Sequence, residues 1–126
     1  MAATRDDVML LLKLDEVYRP GVAAKKFAYS DELAEAVTAG DFFDRYTLDS
    51  DQRFYVNEVA TYFEILGDIR SRGVVDSDLA LWWAGAAITW ERVGPVLVQA
   101  REVFGHDKLW TDFEALAAAQ QSELEG

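Results

Sequence analysis

The sequence contains no cysteine and only one histidine among its 126 residues. The absence of cysteine excludes disulfides, thiolate zinc sites, iron–sulfur clusters and a cysteine nucleophile. A zinc hydrolase needs three protein ligands, usually including histidines, and a di-iron helical bundle needs two Glu-x-x-His motifs. His106 cannot build either set alone, and its Gly-His-Asp context is typical of a solvated turn. We therefore expect neither a metal nor a cofactor.

Sequence motifs of catalysis are missing as well. There is no Gly-x-Ser-x-Gly segment, no phosphate-binding glycine loop and no Asp-x-Asp-x-Asp-Gly calcium loop. Carboxylates are abundant, but Glu64 and Asp68 fall on the polar side of one predicted helix. That placement is typical of a solvated face rather than of two carboxyl groups facing each other across a pocket. We therefore predict a protein that is not an enzyme.

Long apolar runs and a basic N-terminal segment are also absent. The apolar stretches are interrupted by charged residues before they reach the roughly 20 residues that a membrane span needs. No signal peptide is recognisable. The sequence thus predicts a cytoplasmic protein with no membrane partner.

Acidic residues outnumber basic ones, 23 to 12, which gives a formal net charge of −11. This charge disfavours direct binding to nucleic acid or to anionic lipid, since both attract a basic face. It leaves two possibilities open: a protein partner with a basic surface, or no partner selected by charge. It also allows an acidic mimic of nucleic acid, such as a phage-type inhibitor of a DNA-binding or defence protein, although interspersed Lys and Arg would interrupt the rows of carboxylates.

Helical periodicity dominates the residues that are present. Half of the chain is apolar, clean alternating runs are absent, and the length suits one domain. We predict an all-α, single-domain bundle of about five to six helices over residues 1–126, with 122–126 forming a frayed tail.

The centre of this bundle is predicted between residues 49 and 101. A long amphipathic helix over about 50–72 follows Asp49 or Ser50 as a cap and ends at Gly73. A Trp-rich helix over about 77–93, capped by Asp76 or Ser77, is expected to lie antiparallel to it. Gly94-Pro95 should kink or break this second helix. The small residues 84–87 are expected to receive the long helix.

Shorter helices are expected on either side. A capping box at Thr4 starts an N-terminal helix that ends before Pro20, and its broad apolar arc predicts that it is well covered. A helix that begins after Ser30 should end at Gly40. The last helix should be capped by Asp107.

Two groups of side chains are candidate sites. The first is an interaction surface, because exposed aromatic patches mark binding; it comprises Phe42, Phe43, Glu64, Asp68 and Trp82. The second is a pocket at the Gly94-Pro95 break, with Trp90, Arg92 and Arg101. Core packing of the tryptophans competes with these interpretations. So does a purely structural role for the arginines, tying helices together by hydrogen bonds, with Glu64 as a candidate partner.

A family resemblance rests on a pattern spread through the second half of the chain: Tyr62-Phe63-Glu64, Gly73-Val74-Val75-Asp76, Trp90, Pro95 and Arg101. This pattern resembles a broad group of small, uncharacterised helical bacterial proteins, a domain of unknown function, mainly over residues 55–116. The resemblance implies an all-α fold and brings no activity, cofactor or catalytic residue. Some members carry an N-terminal membrane helix, and we expect none in this sequence.

Three functions stay open at this point. The first is a non-enzymatic acidic protein that acts through protein–protein interaction, including self-association into a homo-oligomer. The second is the nucleic-acid mimic. The third is a small-molecule binder with its pocket near Gly94-Pro95.

Overall fold

A computed structural model describes residues 2–126, which form eight α-helices and no strand. The helices are α1 (Arg5–Tyr18), α2 (Val22–Ala28), α3 (Asp31–Ala39), α4 (Phe42–Arg45), α5 (Asp51–Ser71), α6 (Ser77–Trp83), α7 (Ala86–Val103) and α8 (Thr111–Glu125). The all-α class is confirmed. The expected number of five to six helices was too low, because α4 is a separate single turn and the Trp-rich segment is divided in two.

Local capping chemistry fixes many of the helix ends. Thr4 and Asp7 form the predicted capping box at the start of α1. The Ser50 hydroxyl accepts the Arg53 N–H and the Asp76 carboxylate accepts the Leu79 N–H. These two residues, rather than their neighbours, are therefore the caps of α5 and α6.

The long helix α5 packs mainly against α8 and α2, and less against α1, α6 and α7. The Trp-rich segment is therefore a contact of α5 but not its main one, and their antiparallel arrangement stays a prediction. Two carboxylates of α5 form hydrogen bonds that hold α2 and α8 against it. Glu58 accepts the Gly21 N–H at 2.9 Å at the start of α2, and Glu64 accepts the Phe113 N–H at 2.8 Å in the first turn of α8. Unpaired N–H groups at helix starts favour such acceptors.

Close approach of backbones strengthens the contact between α5 and α8. Gly67 of α5 is buried, and a Cβ atom there would lie 2.4 Å from the carbonyl oxygen of Asp112. Nearby, the rings of Phe63 and Phe113 stack with centroids 4.7 Å apart. A glycine and a stacked aromatic pair thus bring α8, rather than the Trp-rich segment, closest to the long helix.

The Trp-rich segment is interrupted at Ala84-Gly85, and α7 continues through Gly94-Pro95. The helix is therefore not broken at the proline, and a kink there stays a prediction. Pro95 lacks the N–H that would bond to the Glu91 carbonyl. Both residues are exposed, so water can satisfy that carbonyl and the helix persists.

A side-chain amide from α8 stabilises the interruption at Ala84-Gly85. Gln120, which is buried, accepts the Ala87 N–H at 2.8 Å through its oxygen. Its nitrogen donates to the carbonyls of Leu81 and Ala84, at 2.7 and 3.0 Å. The small residues 84–87 therefore receive a glutamine of α8, where the sequence predicted the long helix.

The last helix starts later than expected. Residues 107–110 form turns, and α8 begins at Thr111 after Trp110, whose φ of 63° lies in the left-handed region. Asp107 is therefore not its cap. The cap comes from another helix, through the Glu64 carboxylate.

The N-terminal helix is less covered than its apolar arc suggested. Only Leu11 and Leu14 of α1 are buried. The exposed apolar side chains of this helix are Val8, Met9, Leu10, Leu12, Val17 and Tyr18. Since α1 contacts mainly α5 and α6, one side of the helix is covered and the rest faces solvent.

Two further predictions concern fraying of the C-terminal residues and the absence of a membrane-spanning helix. Helix α8 extends to Glu125 with its last residues exposed, and fraying of 122–126 stays a prediction. Among residues 2–126, no helix combines the length and the apolar character required to cross a membrane.

Candidate functional site

An open apolar groove of about 370 Å³ lies between α4, the first half of α5 and the second half of α7. We call it the aromatic groove because five aromatic rings line it: Phe42, Phe43, Phe54, Phe104 and Trp110. Val96 and Leu97 of α7 complete its apolar lining.

The rings of the aromatic groove divide into a buried floor and an exposed rim. Phe42 is almost fully buried, and Phe43 meets it edge-on with centroids 5.2 Å apart. Phe43 also contacts Phe104 edge-on at 5.9 Å. At the rim, Phe54 is 61% exposed and Phe104 is 54% exposed. The groove therefore presents large apolar surface to solvent beside a rigid aromatic base.

A single arginine spans one edge of the aromatic groove. Arg53 donates from Nε to the Tyr46 carbonyl at 2.8 Å and from Nη2 to the Phe43 carbonyl at 2.9 Å. Its guanidinium also lies 4.9 Å from the centroid of the Phe43 ring. Arg53 thus fixes α4 against α5 and holds the Phe43 ring in place.

Carboxylates that form no ion pair with a described residue lie on the elements that line the aromatic groove. On the elements that line it, Asp44, Asp49, Asp51 and Glu102 are exposed, and none forms an ion pair within residues 2–126. The neighbouring Arg45 is paired with Asp41 at 3.2 Å. Among the residues that the structure describes, Arg53 is the one cation that lines the groove, and it is bound to two carbonyls. The four carboxylates therefore still give the apolar rim a net negative surround.

The predicted interaction surface is distributed over three places. Phe42 and Phe43 lie in the aromatic groove. Trp82 is 51% exposed on α6 and does not line the groove. Glu64 and Asp68 lie on α5 beside the start of α8. The structure therefore brings together only the two phenylalanines of this set.

Glu64 is half-buried, so its assignment to a solvated face was wrong. Burial raises the pKa of its carboxyl above the ordinary value; the Phe113 N–H opposes this, and the charge of Asp112 adds to it. Asp68 instead pairs with Arg72 at 2.8 Å on the exposed side of α5. These contacts give both carboxylates structural partners.

The residues of the predicted Gly94-Pro95 pocket line neither this groove nor the second one described below. The Trp90 ring lies against Gly94, where a Cβ atom would come within 2.7 Å of it, and meets Phe113 edge-on at 5.0 Å. Arg92 donates to the carbonyls of Ala28 and Ser30.

The second arginine of that predicted pocket also ties parts of the chain together. Arg101 donates to the Leu109 carbonyl at 2.8 Å and pairs with Glu114 at 2.9 Å. Neither arginine pairs with Glu64, which was the partner suggested by the sequence.

A second, smaller groove of about 280 Å³ lies between α1, α2, α5 and the joint of α6 and α7. We call it the polar groove. Oδ1 of Asp15 accepts the Tyr62 hydroxyl at 2.6 Å and the Trp83 indole N–H at 3.1 Å. Burial, and then the bond to Asp15, raises the pKa of Tyr62. The phenol therefore stays a neutral donor to the carboxylate.

Hydroxyl groups form the other wall of the polar groove. Thr89 donates to the Gly85 carbonyl at 2.7 Å, and the Tyr29 and Thr89 hydroxyl oxygens are 2.8 Å apart. Because the Thr89 proton is used in the bond to Gly85, Tyr29 donates to Thr89. This chain of bonds connects α2 with the start of α7.

The sequence analysis missed the polar groove. Core packing was the competing interpretation of the tryptophans, and no role was predicted for Asp15. The useful signal was an aspartate at an inward position of α1, since a carboxylate among apolar residues requires donors. No group of three potential metal ligands occurs in the part of the chain that the structure describes.

Comparison with known proteins gives a family but no function. No curated protein and no solved structure matches this chain. A family match extends over residues 4–120, which includes α1 to α7 and most of α8. It therefore covers far more of the chain than the 55–116 segment on which the sequence pattern rested. The chain belongs to the family described as a domain of unknown function, DUF4760.

Proposed function

We propose that this protein is a non-enzymatic interaction module that holds a basic amphipathic helix of a protein partner in the aromatic groove. The observation that carries this proposal is the exposed rim of Phe54 and Phe104 above the buried ring of Phe42. Exposed apolar patches beside a concave surface are characteristic of protein-binding sites.

The shape of the aromatic groove supports a helical occupant. Its volume of about 370 Å³ suits the insertion of a few apolar side chains from one face of a helix. Amphipathic helices bind in this way, through anchors at i, i+3 or i+4 and i+7. Phe43 and Phe104 meet edge-on inside the groove and would contact those anchors.

The charge of the surroundings supports a basic partner. Four exposed carboxylates without ion pairs lie on the elements that line the groove: Asp44, Asp49, Asp51 and Glu102. The nearby Arg45 is neutralised by Asp41, and the whole chain carries −11. Lys and Arg on the polar face of the partner helix would accelerate association and make binding sensitive to salt.

The test compares two synthetic amphipathic helices that share one apolar face and differ in their polar face, one basic and one acidic. Fluorescence anisotropy of the labelled peptides measures binding. We expect the basic peptide to bind and the acidic peptide to bind much more weakly, with the difference shrinking at high salt. Equal affinities for the two peptides, or no binding of either, would contradict the proposal.

Two single variants locate the binding surface. Phe104→Ala should weaken binding of the basic peptide by about tenfold or more, as for an interface anchor. Trp82→Ala removes an exposed ring on α6, outside the groove, and should leave the affinity unchanged. The opposite result would transfer the interaction surface to Trp82 and overturn the assignment to the groove.

The other functional hypotheses stay predictions. The nucleic-acid mimic requires rows of free carboxylates, whereas Asp41, Asp68 and Glu114 are engaged with arginines. Competition with DNA for a basic protein at low salt would test it. Self-association and the cytoplasmic location expected from the sequence likewise stay predictions.

A further inference from the structure

We propose that the polar groove binds a small zwitterion of about the size of an amino acid, with its ammonium group at Asp15 and its carboxylate at Arg19 and Lys25. This site is separate from the aromatic groove and uses none of its lining residues. Three features of the groove support this assignment: the orientation of Asp15, the local charge, and the volume.

Asp15 is held in a fixed orientation with one oxygen free. Its Oδ1 accepts the hydroxyl of Tyr62 and the indole N–H of Trp83. Within residues 2–126, its Oδ2 accepts no hydrogen bond and the carboxylate forms no ion pair. Two donors on one oxygen prevent the side chain from rotating, so Oδ2 is preorganised to accept an ammonium N–H.

The charge of the polar groove is opposite to that of the chain. Arg19 and Lys25 line it with Asp15 as its single acid, so the lining carries a net charge of +1 in a chain of −11. Neither base forms an ion pair among the residues that the structure describes. Both are exposed side chains that can turn toward a bound carboxylate.

These charges select for a ligand with both signs. An anion alone would be attracted by Arg19 and Lys25 but repelled by Asp15. An amine alone would be attracted by Asp15 but repelled by the two bases. A zwitterion satisfies all three groups, and each unpaired charge on the wrong ligand costs affinity.

The rest of the groove suits a compact, partly apolar body. Its volume of about 280 Å³ is near the lower end of the range of small-molecule pockets, roughly 300 to 1,000 Å³. Phe63 and Trp83 supply aromatic surface, while the hydroxyls of Tyr29 and Thr89 line another part. An amino acid with an apolar side chain therefore fits better than a nucleotide or a peptide helix.

The indole N–H of Trp83 gives a direct readout, because it donates to the carboxylate that the ligand would contact. In 1H–15N NMR spectra, Trp83→Phe assigns this resonance among those of the four tryptophans. Phenylalanine and leucine are the zwitterionic probes. Phenethylamine lacks the carboxylate and 3-phenylpropanoate lacks the amine. We expect a saturable shift of the Trp83 resonance with the zwitterions, and weaker or no shifts with the other two probes.

Three variants complete the test. Asp15→Asn keeps an oxygen for Tyr62 and Trp83 but removes the charge, and should weaken binding by about tenfold or more. Lys25→Gln should weaken zwitterion binding, whereas Lys26→Gln, an exposed neighbour outside the lining, should not. Because both lysines are exposed, these variants report on recognition even if Asp15→Asn unfolds the chain.

Several results would overturn the assignment. The first is the absence of any Trp83 shift at about 10 mM probe, a concentration that detects even weak millimolar binding. The second is equal binding of all four probes. The third is an equal effect of the two lysine variants on zwitterion binding. Phe104→Ala should leave these shifts unchanged. Failure of the aromatic groove proposal is therefore distinguishable from failure of this one.

Discussion

The carboxylate of Glu64 on α5 accepts the backbone N–H of Phe113 at 2.8 Å in the first turn of α8. Trp110, at the N-cap position of α8, makes no side-chain bond to that turn. The acceptor that a serine or aspartate would normally supply locally therefore comes from another helix. Glu58 serves the start of α2 in the same way, through the Gly21 N–H.

Two replacements of Glu64 should distinguish the contribution of its hydrogen bond to stability from the contribution of its charge. Glu64→Ala leaves the Phe113 N–H without its acceptor and should lower the free energy of unfolding by about 1–3 kcal/mol. Glu64→Gln keeps an acceptor oxygen and removes a half-buried charge, so it should be at least as stable as the wild type at neutral pH. Urea denaturation measures the free energy of unfolding of both variants. Equal destabilisation by the two variants would show that the charge itself is required.

The stabilities of Glu64→Gln and of the wild type should also differ in their dependence on pH. The pKa of Glu64 is raised above its ordinary value of 4.5, chiefly by burial. The folded state therefore binds the proton more tightly than the unfolded state, and stability from this group falls as pH rises through 4.5 toward the folded-state pKa. The advantage of Glu64→Gln over the wild type should grow across that interval and stay constant above it. A difference independent of pH would contradict the raised pKa.

Gln120 should be among the most sensitive polar side chains in the molecule. It is buried and bonds to the Ala87 N–H and to the Leu81 and Ala84 carbonyls. Gln120→Ala leaves the Ala87 N–H without its acceptor and removes a donor from the Leu81 and Ala84 carbonyls, although Ala84 still accepts the Ala86 N–H. The unpaired Ala87 N–H alone should cost about 1–3 kcal/mol if it stays buried. Gln121→Ala, its exposed neighbour, is the matched control and should change stability by less than about 0.5 kcal/mol. Thermal unfolding of both variants is sufficient, and equal midpoints would refute the assigned role.

Gly67 should not tolerate a side chain. An alanine at an ordinary helical position is more stable than glycine by about 1 kcal/mol. At position 67, however, the Cβ atom would lie 2.4 Å from the Asp112 carbonyl oxygen, and backbone cannot move aside cheaply. Gly67→Ala should therefore destabilise by about 1–3 kcal/mol. Ser71→Ala, exposed on the same helix, controls for helix propensity. Stabilisation by Gly67→Ala would mean that α8 can move away from α5.

Two adjacent leucines of α1 should differ sharply. Leu11 is fully buried, whereas Leu12 is 50% exposed. Leu11→Ala should cost about 2–5 kcal/mol, as large cavities in a core do. Leu12→Ala should cost under about 1 kcal/mol, since little apolar area is lost. Similar unfolding midpoints in urea for the two variants would contradict the burial of Leu11 alone, and a larger effect of Leu12→Ala would place the opposite side of α1 against the core.

Local chemistry made part of this fold predictable. The Thr4–Asp7 box, the Ser30 cap and the positive φ at Gly40 depend on neighbouring residues, and the sequence indicated all three. Interactions over long sequence separation did not leave such a signal. The Glu64–Phe113 bond spans 49 residues, so the start of α8 could not be located from the residues around Asp107.

The candidate sites were less predictable than the fold. Phe42 and Phe43 lie together in the structure, as adjacent aromatics on one short turn do in any packing, and their role in binding stays a prediction. Their partner Phe104 arrives from α7, about 60 residues later in the chain, and periodicity alone cannot reveal that meeting. The exposure of α1 was misjudged for a related reason. A broad apolar arc shows what could be buried, not how many helices are available to cover it.

The position of Gln120 also bears on the order in which the protein forms during synthesis. The Ala87 amide that it accepts is made 33 residues earlier. At 5–20 residues per second, a ribosome needs about two to seven seconds for that interval. Until Gln120 is made, the joint between α6 and α7 lacks the side-chain amide that bonds to it. Truncated chains that end between residues 103 and 119, once released from the ribosome, should therefore contain the complete Trp-rich segment without this hydrogen bond and be sensitive to protease near Ala84.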